Sequence, residues 1–423
     1  MTALGSNDTN DGSEVQPEHD ATVPVFSSAP DPFVELLQAH LDRGGDPNVR
    51  PQGVAPLLIL AAATRGADMV RMLLAAGADL TLRDGRGLCA LMAAAQVNPD
   101  AAVVQALLEA GADPNRRSAG GTPVLTLAAA ANPNLQVVRV LLAAGAEVDA
   151  RDDHQATALM RAAQWNPAPE VVRLLLGAGA RLEERDENQA TALIFAAMAN
   201  PNAEVVQALL DAGADPNARD VHATTPLLFA AQNTAAPGVI RALVAAGADL
   251  DARDDEGATP LMRAARFNPS VEVLGALLDA GADIEARDAR GLTALMHAAQ
   301  HNDDVTFVEV LVDAGAVVDA RDGVGTTALM FAAAANPNAS VIDVLLDAGA
   351  DLEARDAHGR TALMAAAATN PDVDAVLTLL AAEADADAQD ENGMTALTLA
   401  ELFNPVDQPS QVLRGDSLAL FGR

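Results

Sequence analysis

Apolar and polar positions repeat along this chain with a fixed period. Thr157, Thr191, Thr225, Thr259, Thr293, Thr327, Thr361 and Thr395 each stand 34 residues after the one before. Ala55, Cys89 and Thr122 hold the same place upstream, at spacings of 34, 33 and 35. After each comes an apolar, alanine-rich run, such as Ala158–Trp165, which predicts a short helix capped by the threonine. Asn-Pro then recurs at Asn98-Pro99, Asn132-Pro133, Asn166-Pro167, Asn200-Pro201, Asn268-Pro269, Asn336-Pro337 and Asn370-Pro371. The residue before proline is pushed out of the right-handed helical region, so this step ends the first helix. The pair is also expected to start a second helix, with Asn as cap and Pro at the first position. Val171, Val172, Leu174, Leu175 and Leu176 give that helix its buried face. Gly179 and its equivalents, from Gly77 to Gly349, stop it in the left-handed conformation.

A unit of two short helices and a turn cannot bury its apolar face alone, and stacking supplies the missing core. The fold class is therefore an all-α repeat solenoid of helix-turn-helix units joined by short hairpin-like loops. Thr-Pro-Leu at 225–227 and 259–261, the alanine pair, the Val-Val…Leu-Leu helix, Ala-Gly-Ala-Asp and the Asp-x-x-Gly turn agree in register. This pattern resembles the ankyrin repeat over roughly residues 31–405. Ten full units are counted over 55–394, between a half-repeat cap at 31–54 and a half-repeat cap with tail at 395–423. Pro32–Asp42 reads as a lone second helix and Thr395–Phe403 as a lone first helix.

Three departures from the family pattern stand out. The family histidine after Thr-Pro-Leu is mostly methionine (Met92, Met160, Met262, Met296, Met330, Met364), which replaces a polar stitch by adaptable apolar packing. The unit is one residue longer at the Asn-Pro step. The turn glycine is lost at Gln155, Gln189 and Ala223, where distorted turn tips are expected.

Composition changes the picture at a few points. Residues 1–30 lack the period, are rich in Ser, Asp, Asn and Pro, and read as a disordered acidic tail. The net charge is −33, and all 26 basic residues are arginine. A nucleic-acid partner is not expected, because no basic stripe exists. The acid excess has two readings: adaptation to a salty cytoplasm, where screening makes such a surface tolerable, and the Ala, Arg, Gly and Asp codon usage of a high-GC genome, which alone does not give so large an acid excess. No run of about 18 apolar residues exists, so no membrane partner is expected. Cys89 is the single cysteine, which excludes a disulfide within the chain. A cytoplasmic monomer is expected.

Most chemical motifs dissolve into the repeat. Without lysine there is no P-loop and no Schiff base. Two Gly-x-Gly-x-x-Ala strings, at Gly85 and Gly323, fall at the same turn register and carry no βαβ context. No cofactor and no enzymatic activity are expected. The Arg-Asp pairs from Arg151-Asp152 to Arg355-Asp356 read as solvated turn charges of alternating sign. His297 and His301, four apart on one helix, form a candidate metal pair without a third ligand, the other reading being two variable surface positions.

The positions that break the repeat are the informative ones. The resemblance places first-helix ends and turn tips along a concave, protein-binding groove. There Arg161 and Trp165, then Arg263, Arg266 and Phe267, then His297 and His301 rise above an alanine-rich background. Arg and aromatic residues are enriched at interface hot spots, so these seven form the candidate contact patch. Phe195, Phe229 and Phe331 read as core instead. The expected function is a non-enzymatic scaffold for a partner protein. Two alternatives are an acidic decoy of a nucleic-acid-binding protein and a metal-binding protein acting through His297 and His301.

Overall fold

A computed structural model describes residues 32–51, 55–404 and 406–415. The acidic tail read at 1–30 lies outside the described residues. The chain divides into two compact units, Met1–Asp46 and Pro47–Arg423. In the first, one helix spans Pro32–Asp42 and is followed by Gly44 at φ 81°. The second holds eleven helix pairs among the described residues, from Leu57–Thr64 with Ala67–Ala75 to Ala396–Phe403 with Gln408–Leu413. The helix Thr395 caps is therefore not alone: a six-residue helix follows it.

Each pair stacks on the next. First helices pack on first helices and second helices on second helices along the series. In the pair Ala158–Trp165 and Pro169–Gly177, Leu159, Met160, Ala162, Ala163, Val171, Val172 and Leu175 are all buried. Each fully buried Leu or Val contributes about 1.5–3 kcal/mol, and the alanine pairs let neighbouring first helices approach closely. The threonine side chain at each first-helix start from Thr157 to Thr395 accepts the amide three residues on, at 3.3–3.5 Å. The methionines are core residues, and Met160, Met262 and Met296 also turn sulfur toward the amide of that threonine.

The Asn-Pro step does something other than start the second helix. Asn166 is the C-cap of the first helix, and its Nδ2 donates to the carbonyls of Ala129 (2.9 Å) and Asn132 (3.4 Å) in the preceding unit. Asn98, Asn132, Asn200, Asn268, Asn336, Asn370 and Asn404 repeat this reach across the boundary. The second helix begins two residues after the proline, with its own cap at Asp100, Asn134, Asn202 or Asp372, and Asp304 caps it in the unit where Asp303 replaces the proline. A polar stitch between units is therefore present, carried by the asparagine instead of the family histidine.

The Arg-Asp pairs also differ from their sequence reading. Arg185 donates to the carbonyl of Gln189 in its own turn (2.9 Å) and of Arg219 in the next (2.8 Å). The same two acceptors, four and 34 residues on, recur for Arg117, Arg151, Arg219, Arg253, Arg287, Arg321 and Arg355. These arginines staple successive turns through backbone carbonyls instead of pairing with the adjacent aspartate. That aspartate closes the turn: Asp254 Oδ1 accepts from the amides of Glu256 (2.9 Å) and Ala258 (3.0 Å). Gln155, Gln189 and Ala223 keep the same turn with φ of 63°, 63° and 58°, so the tips are strained but not distorted.

Candidate functional site

The last residue of each first helix stands clear of the core, because the chain turns away there at the asparagine cap. Large apolar residues at this register are exposed: Val97 (53%), Trp165 (60%), Phe267 (44%) and Phe403 (59%). Four residues earlier, one helical turn back, the same face meets the turn aspartate, so helix ends and turn tips line common depressions. Trp165 and Arg161 line one of about 290 Å³ with Asp152, His154 and Thr126. The Thr126 hydroxyl is buried there without a hydrogen-bond partner.

The residue before the alanine pair decides how each depression is charged. Arg161 Nε and Nη2 donate to Asp152 Oδ2 (3.0 and 2.8 Å), and its guanidinium lies 5.5 Å over the Phe195 ring of the next unit. Trp165 takes no part in that cation–π contact. Arg263 repeats the bond to Asp254 and lies 5.7 Å from the Phe267 centroid. Arg266 covers the same ring at 4.6 Å and stands 3.7 Å from Glu256. His297 Nε2 meets Asp288 Oδ2 at 3.0 Å. The nine-residue spacing from turn aspartate to Arg or His was open to view in the sequence. Its significance was missed because the pair looks remote until the turn folds back on the helix.

His297 is only 3% exposed, so it is not a surface position. Burial pushes its pKa down, against the opposing pull of the Asp288 carboxylate. His301 is pushed down to about 4, by loss of hydration and then by Arg266, His297 and Arg290. His297 thus lies beneath the surface with Nε2 on Asp288, and its Nδ1 is buried without a hydrogen-bond partner. Among the described residues no group of three or more His, Cys, Asp or Glu could hold a metal ion. Phe195 and Phe331 are buried, as expected for core, whereas Phe229 is half-buried. The seven predicted residues fall into two clusters. Arg263, Arg266, Phe267, His297 and His301 are neighbours across two units, while Arg161 and Trp165 stand apart, three units earlier. No hydrogen bond, ion pair or ring contact joins the clusters among the described residues.

The family model for ankyrin repeats (3 copies) matches residues 27–118, 91–186, 125–220, 193–288, 261–356 and 329–407. The chain belongs to the ankyrin-repeat family. Ankyrin repeats are in general protein–protein interaction modules. Among solved structures, the crystal structure of the human ASB11 ankyrin repeat domain is similar at 26% identity. That match covers 53% of this chain and 97% of that one, with a TM-score of 0.48. A search of curated proteins finds no match. Among the described residues of this ankyrin-repeat chain, no helix is long and apolar enough to cross a membrane.

Proposed function

We propose that this ankyrin-repeat protein is a non-enzymatic scaffold that binds a partner protein along the face made by first-helix ends and turn tips. The observation that carries this reading is the alignment of exposed side chains at one register. Val97, Trp165, Phe267 and Phe403 stand at equivalent ends of first helices, spaced by whole repeats. Single exposed apolar residues are ordinary. What supports an interaction surface here is that the largest of them recur at one register, beside arginines, on the face that the turns also line. Trp165 and Phe267 are anchors held on rigid helices, with Arg161, Arg263 and Arg266 beside them already oriented by Asp152, Asp254 and Glu256. A preorganised anchor loses little side-chain freedom on binding. His301 adds a polar edge, and His297 acts from beneath by holding Asp288.

Affinity capture from native lysate tests this reading, with the chain carrying Arg161→Ala, Trp165→Ala, Arg263→Ala and Phe267→Ala as the comparison. Partners held by the wild type should be lost or weakened at least about tenfold, since each hot-spot truncation costs ~1–4 kcal/mol. Retention of every partner by the variant would place the contact surface elsewhere. Binding that collapses with added salt in both proteins would favour the acidic-decoy reading, which rests on the −33 charge.

A further inference from the structure

The two oxygens of the turn aspartate have different fates. Oδ1 closes the turn at Asp84 and at each turn aspartate from Asp152 to Asp390, while Ser118 stands at this position in the unit between Asp84 and Asp152. Oδ2 is taken by Arg161 at Asp152, by Arg263 at Asp254 and by His297 at Asp288. In two adjacent units phenylalanine stands where that cation would be, as Phe195 and Phe229. There Asp186 Oδ1 still accepts from Asn188 and Ala190, and Asp220 Oδ1 from His222 and Thr224. Among the described residues neither Oδ2 makes a hydrogen bond. Asp186 is nonetheless only 6% exposed.

Both carboxylates line one cavity of about 450 Å³, together with Phe195, Phe229 and Met198. The basic groups at its rim are already engaged. Arg161 is held by Asp152, His154 meets Glu187 at 2.8 Å, and His222 lies 3.5 Å from Asp255. The Asp186 side chain is thus held mostly out of water at the edge of an aromatic-walled cavity, and it lacks the cation that Asp152, Asp254 and Asp288 possess.

We infer that this cavity is a recognition pocket for an arginine side chain of a partner protein. The inference rests on the reading that this face binds protein, and names the chemistry of one contact. Arg161 supplies the template within the same molecule: its guanidinium bonds one turn aspartate and lies over the phenylalanine of the next unit. A partner arginine entering one unit later bonds Asp186 Oδ2 and lies over Phe229. A planar guanidinium suits this site better than an ammonium, because it can bond a carboxylate edge-on while stacking on a ring. The acidic lining disfavours anionic ligands, and its carboxylates and imidazoles are not grouped so that three could hold a metal ion.

A fluorescein-labelled octapeptide, Gly-Ser-Arg-Gly-Ser-Arg-Gly-Ser, tests the pocket by anisotropy with the full chain at roughly physiological salt, where long-range attraction is screened. Replacing its arginines by citrulline, a neutral isostere, should weaken binding at least about tenfold, the effect of losing one charge-assisted pair. Asp186→Asn with Asp220→Asn should do the same while sparing the Oδ1 acceptor of each turn. The charge-matched pair Glu204→Gln with Asp211→Asn, exposed on a second helix, should leave binding within about twofold. Phe195→Arg is a second route that does not threaten folding, since arginine stands at this register in two other units. It places an internal cation on Asp186 and should block the peptide. Equal binding of the citrulline peptide, equal loss in the charge-matched control, or full binding by Phe195→Arg would each overturn the pocket. A wild type that ignores the peptide yet captures partners through Trp165 would overturn this inference and leave the scaffold standing. Loss of lysate capture altogether would count against the scaffold itself.

Discussion

One residue per unit, the one before the alanine pair, sets the local chemistry of the binding face. Arginine there neutralises the turn aspartate, phenylalanine leaves it open, and histidine makes it pH-dependent. His297 and His301 both have lowered pKa values, from an ordinary value of 6.5. The sign follows from proton uptake. Between pH 6.5 and about 4 the unfolded chain binds protons on these rings that the folded chain refuses. Stability present above pH 6.5 is therefore lost as pH falls through that window. His301 is exposed, so solvent screening reduces its share, and the buried His297 acts in the same direction. The urea midpoint should fall between pH 7 and pH 4.5. His297→Phe should make the fall shallower, since phenylalanine is buried at this register at Phe195 and Phe331. An unchanged slope in the variant would assign the pH dependence to other groups.

The turn is the element in which sequence and structure are most usefully at odds. Gln155, Gln189 and Ala223 hold left-handed φ values that glycine adopts at Gly257, Gly291 and Gly325. A residue with a side chain costs about 1–2 kcal/mol there, and glycine returns part of that as lost backbone freedom. Gln155→Gly, Gln189→Gly and Ala223→Gly together should raise stability by ~1–3 kcal/mol in denaturant unfolding. A triple variant no more stable than the wild type would show that the strain is relieved elsewhere. The helices, their threonine caps and the glycine stops were legible because each is encoded within one unit. The asparagine stitch and the arginine staple were not, because their acceptors lie 34–37 residues away and a single unit does not contain them. One signal was available in both cases: an identical polar residue at the same register in unit after unit implies a bond between units. The open carboxylate at Asp186 was hidden for a related reason. It is recognised only by comparison with Asp152, whose Oδ2 is occupied.

At the scale of the whole molecule, the charge balance is the unusual quantity. The chain carries 59 acidic against 26 basic residues. Many of those arginines donate to backbone carbonyls along the turn staple, and Arg185, Arg219, Arg253, Arg287, Arg321 and Arg355 do so without an ion pair among the described residues, unlike Arg151, which also meets Glu184. The acidic side chains are thus left with few local partners, and a net charge of −33 repels itself along the stack. Because each unit contacts only its neighbours, stability is a sum of unit and interface contributions, and repulsion weakens every interface alike. Salt shortens the reach of that repulsion from about 30 Å at 0.01 M to about 3 Å at 1 M. The melting temperature should therefore rise steadily as potassium chloride goes from ~0.01 M to ~1 M. An equally concentrated sucrose series separates screening from exclusion at the surface, since sucrose favours burial but carries no charge. A larger rise in salt than in sucrose supports an acidic surface suited to a salty cytoplasm. A flat salt series would mean that the excess acid is spread too thinly to matter, and that the composition has another origin.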